Sequence, residues 1–177
     1  MDIRTTDSSD LETILSVNRH AFGGEEVPNL VNDLLKDPSA EPIVSLLAFE
    51  AEKAVGHILF TRARMDSKSG RLMCILAPLA VIPDFQKQGI GRQLTEKGLQ
   101  ILDRSGMDLI FVLGHPEYYP KFGFRPAGAL GYAAPYPIPE KNADAWMVLG
   151  LNPVALHSEE GTVHCADAMN SPEHWQE

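Results

Sequence analysis

The sequence predicts a domain of the α/β (α+β layered) class, with a mixed central sheet flanked by helices. Three observations carry that expectation. Two β-prone apolar runs, 43–51 and 54–65, are separated only by Glu52-Lys53, which makes a β-hairpin. A strand, an amphipathic helix and a second apolar run succeed one another over 72–113, the pattern of a parallel, right-handed β–α–β unit. With 177 residues, 44% hydrophobic and 22% charged, the chain suits one globular domain with a full core.

In chain order, residues 3–6 read as a first short strand. Asp7-Ser8-Ser9-Asp10 offers helix N-caps, and Glu12 puts an acid in the first turn. Leu11, Ile14, Leu15, Val17 and Phe22 then mark a helix that ends near Gly23-Gly24. A second helix spans about 25–36, with Val27, Leu30, Val31, Leu34 and Leu35 on one face, and Asp37-Pro38 closes it. After the hairpin, 66–70 is a polar turn and 71–82 a strand. That strand stops at Pro83, which has no N–H to continue a ladder.

Ile90, Leu94, Leu99, Ile101 and Leu102 recur at roughly helical spacing, and the helix ends over 103–106. The unbroken apolar run 109–113 is that of a strand buried on both faces, and it stops at Gly114-His115-Pro116. Residues 127–140, rich in Gly, Ala and Pro, form an irregular loop, and 145–151 is a final core strand. Residues 161–165 read as one more short strand, at an edge or in a dimer contact. From Asn152 onward there is no Lys or Arg, and Glu159, Glu160, Asp167, Glu173 and Glu177 make the tail acidic. The expected division is a domain over 1–151 with an acidic C-terminal extension of the same domain over 152–177.

The chemistry concentrates between the strand at 71–82 and the following helix. A glycine-containing turn that feeds a helix presents backbone N–H groups without helical partners, and the helix dipole favours negative charge there. Gln86-Lys87-Gln88-Gly89-Ile90-Gly91 is such a turn, built to hold a phosphate or pyrophosphate. It is no Walker loop, because Gly-x-x-x-x-Gly-Lys-Ser/Thr does not occur. It is no dinucleotide fingerprint either, because Leu94 stands where the third glycine belongs.

What remains, Gln86-x-x-Gly89-x-Gly91 directly after a strand, resembles the Gln/Arg-x-x-Gly-x-Gly/Ala signature of the GCN5-related N-acetyltransferases, the GNAT superfamily. A second match comes one strand later, where Tyr119 to Phe124 reads Tyr-x-x-x-Gly-Phe. The wider string from Leu113, Leu-Gly-x-Pro-x-Tyr-Tyr-Pro-x-Phe-Gly-Phe, is similar to a bacterial subgroup often called YhbS-like. His115 departs from it, since aspartate is more usual there. Gly56-His57-Ile58-Leu59-Phe60 is also typical of the hairpin in this family. The resemblance covers about residues 1–150.

The resemblance implies the GNAT acyl-CoA N-acyltransferase fold and transfer of an acetyl group from acetyl-CoA to a primary amine, by direct attack in a ternary complex. It places the pyrophosphate on the backbone of Gln88, Gly89, Ile90, Gly91 and Arg92, with Gln86 and Lys87 at the turn. The pantetheine arm would pair like a strand with the main chain of Leu79, Ala80 and Val81, and an N–H near Val81 would face the thioester oxygen. The first two helices would border the acceptor. Tyr119, four residues before Gly123, would protonate the coenzyme A thiolate, since a phenol with a pKa near 10 keeps its proton at neutral pH. Tyr118 is expected to point elsewhere and to be structural. Many relatives carry a general base on the strand before the loop, but 72–82 holds no Asp or Glu. His57, Glu50, Asp84 and His115 all remain open for that role. The alternative function is an acyl-CoA-binding sensor or interaction domain without catalysis.

Composition sets the outer limits. A net charge of -9 argues against nucleic acid as a partner and is compatible with a cationic amine, whether a small molecule or the amine of a peptide or protein. Cys74 and Cys165 are too few and too far apart in sequence for a disulfide framework or a zinc site, so no metal is expected. The polar N-terminus is no signal peptide, and no apolar run approaches membrane-spanning length. A cytoplasmic monomer or homodimer is the expectation.

Overall fold

The computed structural model describes every residue except Lys68, Ser158 and Glu177. Lys68 of the expected 66–70 turn and Glu177 of the acidic tail therefore lie outside the described residues. The strands are β1 Asp2–Thr5, β2 Val44–Glu50, β3 Lys53–Met65, β4 Met73–Val81, β5 Leu109–Leu113, β6 Arg125–Pro126, β7 Tyr132–Ala133, β8 Trp146–Gly150 and β9 Gly161–Cys165. The helices are α1 Leu11–Phe22, α2 Glu26–Lys36 and α3 Ile90–Arg104. Strand order is β1-β2-β3-β4-β5-β8-β6. Within that order β4 and β5 run parallel, and α3 connects them. The expected β–α–β unit and hairpin are both present.

Segment 161–165 finds its partners within the chain, antiparallel to Ala63–Met65 of β3 and parallel to β7. It is a strand of the molecule's own sheet. Helix α1 closes at Gly23 in the left-handed region, whose N–H bonds the Arg19 carbonyl. The caps at its start divide differently from expectation. Asp7 caps a 3-10 turn over Ser8–Asp10, while Asp10 makes no side-chain cap to α1. Asp10 instead takes both arms of the Arg4 guanidinium at 2.8 Å and the Asp7 N–H at 2.9 Å. Those hydrogen bonds, Arg4 first, hold its carboxyl down to about 2.

Strand alternation on β3 sorts the two helical layers. His57 lies against Asn18 of α1. Gly56 meets Ile90 and Leu94 of α3, and Phe60 meets Gly98 of α3. So α1 and α3 cover opposite faces of the sheet. A Cβ at Gly98 would stand 2.4 Å from Cε2 of the buried Phe60 ring. Contacts this short with a buried ring put the overpacking cost in the upper part of its range of about 1–3 kcal/mol, against the roughly 1 kcal/mol that alanine gains over glycine inside a helix. Gly98→Ala should therefore lower the urea-unfolding free energy by up to about 2 kcal/mol. A midpoint equal to the parent's would contradict this packing.

The feature that makes room for a site lies between β4 and β5. Their ladder ends at Leu76 and Val112. On its other edge β4 gains a residue against β3, because Ile58 pairs with Leu79 while Phe60 pairs with Leu76. Pro78 sits inside this bulge and has no N–H to offer. Beyond it β4 follows β3 as far as Val81, and β5 ends at Leu113, leaving a cleft between them.

The C-terminal segment packs onto the domain. It forms 3-10 turns over Asp167–Met169 and Pro172–Trp175. Trp175 is fully buried, edge-on to Trp146 with ring centroids 5.7 Å apart.

Candidate active site

The cleft has two lobes. On the α3 side a lobe of about 650 Å³ is lined by Leu79, Val81, Phe85, Gln86, Lys87, Gly89, Ile90, Gly91, Arg92, His115, Tyr118, Tyr119 and Lys121. On the α1/α2 side a lobe of about 380 Å³ runs from Phe22, Glu26, Val27 and Leu30 across 75–79 and 112–115 to Tyr119 and the C-terminal Met169, Glu173, His174 and Trp175. Leu79, His115 and Tyr119 belong to both. The cleft therefore passes through the sheet where β4 and β5 separate.

The loop before α3 is shaped by local contacts. After a 3-10 turn over Pro83–Phe85 the Gln86 side-chain amide donates to the Val81 carbonyl at 3.0 Å. Gln88 likewise donates to the Asp84 carbonyl at 3.2 Å. Lys87 and Gly89 both adopt positive φ, 62° and 85°. The first helical bond runs from the Gln93 N–H to the Gly89 carbonyl at 3.0 Å. Amides ahead of it sit at the open, positive end of the helix. No acid occupies the first turn of α3, and Lys87, Arg92 and Lys121 line the same lobe. Arg92 is also paired with Glu96 at 2.8 Å. Of the expected cofactor-binding residues, Leu79, Val81, Gln86, Lys87, Gly89, Ile90, Gly91 and Arg92 line this lobe. The side chains of Ala80 and Gln88 do not. Ala80 is buried on the opposite face, level with His57, and Gln88 serves the loop itself.

Tyr119 is buried at the junction of the lobes, in a 3-10 turn over Tyr119–Phe122. Its ring packs edge-on against Tyr118 and Phe124, with centroids 5.1 and 5.6 Å away. It also lies over Gly114, where a Cβ would come within 2.5 Å of its Cε2. The end of β5 thus admits the ring only because residue 114 has no side chain. Tyr118 differs from expectation. It does not point away but lines the α3-side lobe, with its hydroxyl 3.0 Å from where a Cβ on Gly91 would stand. The turn swings both rings into one cleft. Burial pushes the Tyr118 phenol up, partly offset by a hydrogen bond to Thr95.

The base candidates separate clearly. His57 is sealed in the core, with Nδ1 3.1 Å from the Asn18 amide and Nε2 2.9 Å from the Ser45 hydroxyl. Burial pushes its pKa down to about 3. It is a core histidine, not a base of this cleft. Glu50 ends β2 and Asp84 lies in the turn before the loop, and neither lines a lobe. His115 lines both and is exposed to solvent. Sequence reasoning missed Pro78, Tyr118, Glu26 and the tail residues. Only Pro78 carried a readable signal, since a proline inside an otherwise central strand marks a bulge. Among the described residues no cluster of three or more His, Cys, Asp or Glu is placed to hold a metal, and no helix is long and apolar enough to cross a membrane.

Comparison with known proteins supports the fold and points to a family. The family model described as an acetyltransferase (GNAT) domain matches residues 43–126. The chain is 50% identical over 169 residues to YjhQ, an uncharacterized N-acetyltransferase of Escherichia coli K12, covering 92% of this chain and 90% of that one. It is 30% identical over 172 residues to the uncharacterized N-acetyltransferase YhbS of the same strain, covering 96% and 99%. Among solved structures, E. coli YhbS in complex with CoA superposes with a TM-score of 0.85 at 26% identity, covering 96% of this chain and 92% of that one. A GNAT family acetyltransferase of Brucella melitensis with acetyl-CoA gives 0.75 at 25% identity, covering 95% and 97%.

Proposed function

The chain belongs to the GNAT family of N-acetyltransferases, and from that premise we propose that it transfers an acetyl group from acetyl-CoA to a primary amine with both substrates bound at once. The observation that carries this reading is the two-lobed cleft through the sheet, with Leu79, His115 and Tyr119 at its junction. Acetyl-CoA supplies a thioester, an acyl carbon already bonded to a leaving group. The backbone N–H groups at the start of α3, with Lys87 and Arg92, hold the pyrophosphate. The edge of β4 past Leu76, which β5 no longer covers, offers main chain to the pantetheine arm. The amide near Val81 faces the carbonyl oxygen and steadies the charge that develops there.

The amine nitrogen bonds to the acyl carbon as the carbon–sulfur bond breaks. His115 takes the proton the nitrogen loses, and the Tyr119 hydroxyl gives one to sulfur. Solvent restores both groups. Thiol release from acetyl-CoA, measured across a panel of amines, should exceed hydrolysis for at least one of them. His115→Ala should lower kcat/KM about 100-fold with the CoA dissociation constant unchanged. A kcat/KM equal to the parent's overturns the role of His115. Tight CoA binding with no thiol release from any amine favours the sensor reading instead, which draws support from the absence of Asp and Glu along β4.

A further inference from the structure

We propose that the C-terminal segment is the outer wall of the amine lobe, and that the lobe takes a small amine with an apolar body, drawn in as a cation by Glu26 and Glu173. This inference rests on the acetyl-transfer reading and names the substrate class of that same site.

The wall is fixed in place. The Asp167 N–H donates to the Ser39 hydroxyl and the Ala168 N–H to the Asp37 carboxylate, each at 2.9 Å. The Trp175 indole N–H donates to the Met169 carbonyl at 3.1 Å. These bonds bring Met169 and Glu173 to the same lobe as Val27, Leu30 and Glu26 of α2. Phe22, the last residue of α1, also lines it and stays 48% exposed.

Charge is sorted between the two lobes. Among the described residues no lysine or arginine lines the α2-side lobe, whereas Glu26 and Glu173 do. The α3-side lobe has the reverse, with Lys87, Arg92 and Lys121 and, among the described residues, no carboxylate. A polyanion is therefore steered to one entrance and an ammonium to the other. Carboxylates at the rim attract the amine in its charged form, the ammonium releases its extra proton to solvent before the neutral nitrogen attacks, and the apolar walls bind its carbon skeleton. A volume near 380 Å³ is at the small end of small-molecule sites. With a fixed wall on the tail side, that favours a free amine over a lysine on a folded protein.

Steady-state thiol release with 2-phenylethylamine, ethanolamine and a lysine-containing peptide tests the inference. The KM for 2-phenylethylamine should be about tenfold or more below that for ethanolamine. Glu173→Gln and Glu26→Gln, both at exposed positions, should each raise it about fivefold, with the loss in KM rather than kcat and no change in the KM for acetyl-CoA. A preference for the peptide or ethanolamine, or an unmoved KM in both variants, overturns this assignment and leaves acetyl transfer standing. No thiol release from any amine, with CoA still bound, overturns the transfer reading itself and this inference with it.

Discussion

Tyr119→Phe is expected to lower kcat about 100-fold or more, while the CoA dissociation constant stays within about twofold. The substitution removes one oxygen and keeps the ring. That ring fills the space over Gly114 and packs on Tyr118 and Phe124, so the cleft keeps its shape. What is lost, on the proposed mechanism, is the hydroxyl at the meeting point of the lobes that gives its proton to the departing sulfur. A positioned acid contributes typically 10²–10⁴-fold. The rate should be read at saturating amine and acetyl-CoA, so that binding is set aside. A kcat within about threefold of the parent would show that the sulfur leaves without help from Tyr119. Tyr118→Phe is the natural comparison, because that hydroxyl sits over the start of α3 and its loss should weaken CoA binding more than turnover.

The second large effect is on stability in acid. His57 titrates near 6.5 when unfolded and is pushed down to about 3 when folded. The unfolded chain therefore binds a proton over this window and the native one does not. Below about pH 6.5 the native state loses about 1.4 kcal/mol per pH unit, or roughly 2 kcal/mol by pH 5. The Asp10 carboxyl, held down to about 2 by Arg4 and the Asp7 amide, adds a further loss only as pH falls below 3.8. Urea unfolding at a series of pH values should show the His57 slope first, and His57→Gln should flatten it between about pH 6.5 and 4.5. If the slope survives in that variant, another group is responsible.

Much of this molecule is legible because its strongest signals are local. Glu52-Lys53 between two apolar runs gives a hairpin, and Pro83 after a β-prone run must end a strand. Residues Gln86 to Gly91 read as a turn feeding a helix because their glycines and the following helical period lie in one stretch, and the structure has that turn and helix. Tyr119 is readable because it stands at a fixed distance from Gly123-Phe124.

What escapes is set by long-range geometry. Nothing near His57 in sequence says that its two ring nitrogens will meet Asn18 and Ser45 inside the core. The stretch after β9 has neither helical nor strand period, since it is built of 3-10 turns over Asp167–Met169 and Pro172–Trp175. Trp175 is buried only because a place opens beside Trp146, 29 residues earlier in the chain. Tyr118 faces the cleft beside Tyr119, against expectation, because it leads into a 3-10 turn, where side chains do not alternate as they do along a strand.

The bulge at Pro78 has one further effect. Beyond it β4 and β5 part, and the cleft opens by two doorways on opposite faces of the sheet that meet only where Leu79, His115 and Tyr119 line both lobes. For the proposed transfer this lets each substrate enter by its own doorway, so neither has to pass the other.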